Sequence, residues 1–188
     1  MASRDFWITE AAKPLWDAEQ FRRIDAELLR IESTSTGCIF DTSTMPWRHR
    51  SDALCIWLES SLESRSAKSI VSHHGKSACA MEDYPAHLAA KDAATMGLYK
   101  DLYNIDIGTD LTPFDLILNI SSLINSPSLD GALSSISLVQ SVIRPAAAWY
   151  LTGRPAFREQ LEDAVRNAPD GMVVLDNVNS RVEARQSM

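Results

Sequence analysis

The stretch that most constrains the fold is Phe114 to Ser121, Phe-Asp-Leu-Ile-Leu-Asn-Ile-Ser. Leu116, Ile117, Leu118 and Ile120 make a short, nearly continuous apolar run, with Pro113 before it and Ser121-Ser122 after it. A run this short, bounded by turn residues, predicts a strand buried on both faces, as in parallel sheets covered by helices. Asn119 falls near the carboxyl end of that strand, where open α/β sheets hold their ligands.

The remaining segments read as alternating helices and strands. Asp5 to Thr9 is a candidate strand. A helix is expected from Trp16 to Ile31, because Phe21, Ile24, Leu28 and Ile31 fall roughly on one stripe. Gly37 to Asp41 and Leu54 to Leu58 read as strands, with Pro46, Trp47, Arg48, His49 and Arg50 in the loop between them. Helices follow from about Ser60 to Ser72 and from Glu82 to Tyr103, where Pro85 suits a first turn. Leu129 to Trp149 predicts a helix that Pro145 should kink or end. Thr152 to Pro155 reads as a linker, Phe157 to Asn167 as a short amphipathic helix, and Met172 to Leu175 as a last strand. The polar tail from Asn177 is expected to fray. This places an α/β domain over 1–151 and a helix-plus-strand extension over 152–188.

Composition narrows the function. The chain has 188 residues and a net charge of -7, which argues against a broad nucleic-acid surface, since that needs cations to replace counterions. It leaves room for a nucleotide site, which needs only a few local cations. No apolar run reaches the length of a membrane span, and the first residues lack the apolar core of a secretion signal. Neither nucleic acid nor membrane is therefore an expected partner. Cys38, Cys55 and Cys79 form no Cys-x-x-Cys pair. Buried, reduced thiols in a cytoplasmic protein are the expectation.

Two blocks carry a resemblance. Tyr99-Lys100-Asp101-Leu102-Tyr103-Asn104-Ile105-Asp106 leads through Asp110 to Phe114-Asp115, and Ile56-Trp57-Leu58-Glu59-Ser60-Ser61-Leu62-Glu63-Ser64-Arg65 precedes it. Together they resemble the archaeal-type cytidylate kinases. In that family Ile-Trp-Leu-x-Ala-x-Leu-x-x-Arg runs from strand to helix, and a later helix ends before a Tyr-Asp-Leu-Val-Ile strand. The resemblance covers roughly Phe21 to Leu123. It implies a mostly parallel sheet flanked by helices, in the manner of a nucleoside monophosphate kinase.

What such an enzyme needs is largely missing. Phosphoryl transfer depends on positioning and charge neutralisation. The usual tool is a P-loop, whose backbone amides and lysine cradle the phosphates. No glycine precedes Gly37. Gly75-Lys76-Ser77 matches the end of a P-loop motif, but Ile70 stands where its first glycine belongs. A P-loop encoded upstream of Met1 is the remaining alternative, although Phe6 to Trp16 does not read as the rest of such a unit. The family's cations are also thinned. Arg65 keeps one arginine, the lid arginine becomes Lys68 or His73, and the helix Arg-Glu pair becomes Lys91-Asp92. Leu98 replaces a further arginine, and the strand that should end in Glu-Gly-Arg reads Phe40-Asp41-Thr42-Ser43. Arginine's two-pronged grip on phosphate is not reproduced by these replacements.

The resemblance thus implies a degenerate, P-loop-less relative that binds a nucleotide or another small phosphorylated ligand. Its role would be regulatory or scaffolding, without phosphotransfer of its own. Its ligand-binding set would be Arg65, Lys68, His73, Lys76, Lys91, Asn119 and Asp41. The alternative is a phosphotransferase whose missing groups come from a protein partner. No cofactor or metal is implied, since His73-His74 lacks partner spacing. Removing the P-loop strand from mid-sheet would strand backbone groups. Asp5 to Thr9, Met172 to Leu175 or a partner chain is expected to fill that place, and self-association would cover any open edge.

Overall fold

The computed structural model describes residues 18–42, 44–49, 52–73, 84–124, 126–170 and 172–186. The described elements are α1 (Ala18–Thr34), α2 (Met45–Arg48), β1 (Ile56–Glu59), α3 (Leu62–His73), α4 (Tyr84–Tyr103), β2 (Leu116–Asn119), α5 (Leu129–Thr152), α6 (Pro155–Arg166), β3 (Val173–Asp176) and α7 (Val178–Gln186). They fall into two compact units: the described residues within 18–53 and 90–113 form the first, and those within 54–73, 84–89 and 114–186 the second.

The second unit is built on β2. It pairs parallel with β1, from Ile56 opposite Leu116 to Glu59 opposite Asn119. On its other side β3 runs antiparallel, from Leu116 opposite Asp176 to Asn119 opposite Val173. The sheet order is β1-β2-β3. Leu116, Leu118 and Ile120 lie on one face by the two-residue period of a strand. They pack with Val142, Ala146, Trp149 and Tyr150 of α5, Leu161 of α6, and Val178 and Val182 of α7. Each fully buried leucine in this cluster stabilises the unit by roughly 1.5–3 kcal/mol. The α/β class is borne out, and a C-terminal segment, β3, joins the sheet beside β2. The finer expectation of a mostly parallel sheet is corrected: among the described residues the sheet is small and mixed.

Local chemistry sets the helix ends. Ser61 Oγ accepts the Ser64 amide and caps α3. Ser128 Oγ accepts the Gly131 amide at the start of α5. Gly153, with φ 61°, closes α5 in the left-handed conformation, and its N–H reaches the Trp149 carbonyl. Pro155 then opens α6.

Two expectations fail here, and a third in part. Pro145 does not end α5, which continues through it to Thr152. The proline removes one intrahelical hydrogen bond, but buried Val142, Ala146, Trp149 and Tyr150 on both sides hold the helix. The tail from Asn177 does not fray as far as Gln186, because Val178 and Val182 anchor α7 in the core. Gly37 to Asp41 is not a strand: Ile39 is 100% exposed, and Cys38-Ile39-Phe40 has no ladder neighbour among the described residues. Asp5 to Thr9 lies outside the described residues.

The first unit centres on α1, α2 and the end of α4. Phe21 meets Tyr99 edge-on at 6.0 Å, and Tyr99 stacks on Tyr103 at 6.1 Å. This is the core role expected of tyrosines four apart on a helix.

Candidate functional site

The carboxyl ends of β1 and β2 lie side by side in the second unit, and each is followed by a serine pair. Ser121 Oγ accepts the Ser61 amide at 2.8 Å, which ties the two turns together. Asn119 Oδ1 accepts the Ser121 amide at 3.0 Å. Asn119 therefore organises the strand end, as its position suggests. The Ile120 amide reaches the Glu59 carbonyl at 2.8 Å and continues the ladder one step further.

The start of α3 brings two cations to this turn. Arg65 Nε donates to the Ser60 carbonyl at 3.2 Å, and Lys68 Nζ donates to Ser60 Oγ at 3.3 Å. Burial, and then the neighbouring Arg65 charge, push the Lys68 ammonium below the ordinary lysine range. Among the described residues no carboxylate is paired with Lys68. Ser64, one turn into α3, is buried, and its hydroxyl has no hydrogen-bond partner among the described residues. The turn is thus rich in hydroxyl and amide donors and carries positive charge.

Of the expected ligand set, Arg65, Lys68 and Asn119 gather here. His73 is the last residue of α3. Lys76 lies outside the described residues, while Lys91 and Asp41 belong to the first unit. The serines at positions 60, 61, 64 and 121 were not part of that set. The signal available for Ser60, Ser61 and Ser121 was the Ser-Ser pair after each apolar run, and Ser64 had no such signal.

At the opposite end of β2, Asp115 is buried. Its Oδ2 accepts the Cys55 amide at 2.9 Å, and its Oδ1 lies 3.6 Å from Arg181 Nε. This is a structural clamp on the strand starts.

The first unit holds the other charged cluster. Arg48 Nη1 lies 3.3 Å from Asp25 Oδ2, and its guanidinium sits 4.1 Å from the centre of the Tyr103 ring. His49 Nε2 lies 3.5 Å from Glu32 Oε2, and Trp47 Nε1 donates to the Asp110 carbonyl at 2.6 Å. Arg48 and His49 are therefore engaged in packing α2 against α1, and Trp47 ties that segment to the Asp110 turn. Asp110 turns its carboxylate onto the Thr112 amide and hydroxyl, which holds it below the usual carboxylate range. Asp106 pairs with Lys100 at 2.7 Å. These are turn roles rather than ligand contacts.

The expectation of buried thiols is corrected for Cys38, which is exposed, while Cys55 is half-buried just before β1. Among the described residues no cluster of His, Cys, Asp and Glu suits a metal ion, and no helix is long and apolar enough to cross a membrane. No known protein family, curated protein or solved structure matches the chain.

Proposed function

We propose that the turn after β1 binds the phosphate of a small phosphorylated ligand, a nucleotide first among candidates, and that the chain transfers no phosphoryl group by itself. The observation that carries this reading is the adjacent pair Arg65 and Lys68 beside Ser60. Two neighbouring cations repel, and a half-buried ammonium is costly when unpaired. A bound dianion would relieve both costs and accept hydrogen bonds from each. The site's position at the carboxyl ends of two parallel strands suits a ligand. Its kinship with cytidylate kinases belongs to the same proposal, and rests on the two sequence blocks that lead into β1–α3 and β2.

No P-loop sequence accompanies the pair, which is why the reading stops at binding and a regulatory or scaffolding role. Calorimetry with CMP, CTP, ATP and inorganic phosphate tests it. Binding of at least one, weakened in Lys68→Ala, is the expected result. Absence of heat with all of them removes the proposal. A coupled phosphotransfer assay on the same samples, with and without candidate partner proteins, separates binding from catalysis. Turnover by the chain alone would overturn the inactive reading.

A further inference from the structure

α5 carries a pattern that its own packing uses only in part. Its inner face supplies Val142, Ala146, Trp149 and Tyr150 to the core. On its outer side Leu129, Leu133 and Ile136 are 63%, 53% and 52% exposed. Their line continues through exposed Gln140 to Ile143 and Ala147, which are half-buried, Ile143 with one side on the core. Spacings of four and three residues alternate along it, which is the heptad spacing of a seam between two helices. Charge is nearly absent from this helix. The chain is 23% charged, yet the 24 residues of α5 include only Asp130 and Arg144. A solvated helix face ordinarily carries more, and loss of charge marks the centre of an interface.

We propose that α5 pairs with α5 of a second copy of this chain, antiparallel, about a twofold axis near Leu138. The two charges decide the orientation and register. With Leu129, Ile136 and Ile143 at the d positions of the heptad, Leu133, Gln140 and Ala147 fall at a, and Asp130 and Arg144 both fall at e. In an antiparallel pair the e positions of the two helices flank the seam together. Leu129 then meets Ala147 of the partner subunit, Leu133 meets Ile143 of the partner subunit, and Ile136 meets Gln140 of the partner subunit. The same register sets Asp130 beside Arg144 of the partner subunit, twice by symmetry. A slip of one heptad puts Leu151 of the partner subunit there instead. A parallel pair leaves Asp130 without a cation.

Within its own chain Arg144 donates to the neutral Gln140 at 3.0 Å, and no cation is paired with Asp130 among the described residues. The polar Gln140 in the seam weakens the pair but penalises other registers, as single polar a residues do. The seam is only about three heptads long, so association in the micromolar range is expected rather than an obligate dimer.

Sedimentation equilibrium of the full chain at rising concentration tests this. The expected result is a monomer–dimer equilibrium that Ile136→Glu abolishes while far-ultraviolet circular dichroism stays unchanged. Asp130→Lys and Arg144→Glu should each raise the dissociation constant about fivefold, since two symmetric pairs are lost. The double variant should recover most of that loss, and it decides the matter if Ile136→Glu disturbs folding. A chain that stays monomeric overturns the proposal, whether the stripe proves bare, covered by another part of the same chain or held to lipid vesicles. So does a double variant no better than the singles.

Discussion

Arg181 Nε lies 3.6 Å from Asp115 Oδ1, so the last helix is pinned to the first turn of the central strand. The other carboxylate oxygen holds the Cys55 amide, and the Asn177 amide reaches the Asp115 carbonyl at 2.8 Å. One aspartate therefore fixes the starts of β1 and β2 and the entry to α7. Arg181→Met would leave a buried carboxylate with its amide partner but without its cation. The expected loss is about 2 kcal/mol, below the ~3–5 kcal/mol for breaking a fully buried pair, because Arg181 keeps some contact with water. Urea unfolding checks it. A midpoint unchanged from the parent chain would show that α7 is held by Val178 and Val182 alone.

The Tyr103 phenol is expected to ionise above the ordinary value of 10.0. Burial is the main cause, and the Asp25 carboxylate beside it adds to it, while Arg48 opposes both. Removing that cation in Arg48→Met should raise the value further. A tyrosine raised in the folded state stabilises the fold fully below its unfolded value. That stability drains as pH climbs from 10.0 through the folded value. Ultraviolet difference titration, with Tyr103→Phe subtracted to isolate this ring, reads the shift directly. A downward shift in Arg48→Met would contradict the geometry of the cluster.

Much of the second unit was legible because its segments carry a period matched to one buried face. Leu116, Leu118 and Ile120 alternate, and the apolar residues of α3 and α5 recur at helical spacing. What misled was local composition without a partner. Cys38-Ile39-Phe40 reads as a strand, but a strand exists only where a neighbour completes its ladder. The tail after Asn177 reads as polar because Val178 and Val182 are just two residues, yet four apart they cover one spot on the core. Pro145 reads as a break because propensity cannot register the packing on either side of it. At the candidate site, Arg65 and Asn119 stood out through the resemblance. Ser61 and Ser121 did not, since their role comes from bringing together two turns sixty residues apart.

Lys68 gives the phosphate reading a pH signature. Its ammonium is held below the ordinary 10.5 by burial and then by Arg65. The folded chain therefore releases this proton at lower pH than the unfolded chain does. Stability should rise with pH across the window that ends near 10.5, once other groups are matched by comparison with Lys68→Met. Saturating phosphate should reverse the trend by favouring the charged form. Urea midpoints measured across the alkaline range, with and without phosphate, test both parts. Lys68→Ala should also weaken any phosphate ligand about ten- to a hundredfold, the worth of one charge-assisted hydrogen bond. Identical pH profiles for parent and variant would leave Lys68 no special place in the site.

Two glycines predict opposite signs for one substitution. Gly153 sits at φ 61° where α5 turns into α6, and a Cβ placed there would come 2.5 Å from Gln186 Nε2. The Gln186 amide is the end of a flexible side chain and can swing aside. The left-handed backbone remains, and an alanine there costs about 1–2 kcal/mol. Gly97 lies inside α4, and a Cβ there would meet nothing within 4 Å. An alanine at that position should stabilise the chain by about 0.5–1 kcal/mol, because it restricts the unfolded state and favours helix. Thermal melts of Gly153→Ala and Gly97→Ala should therefore move in opposite directions. If both fall, the open space beside Gly97 is not open in solution, and another segment of the chain packs on that face of α4.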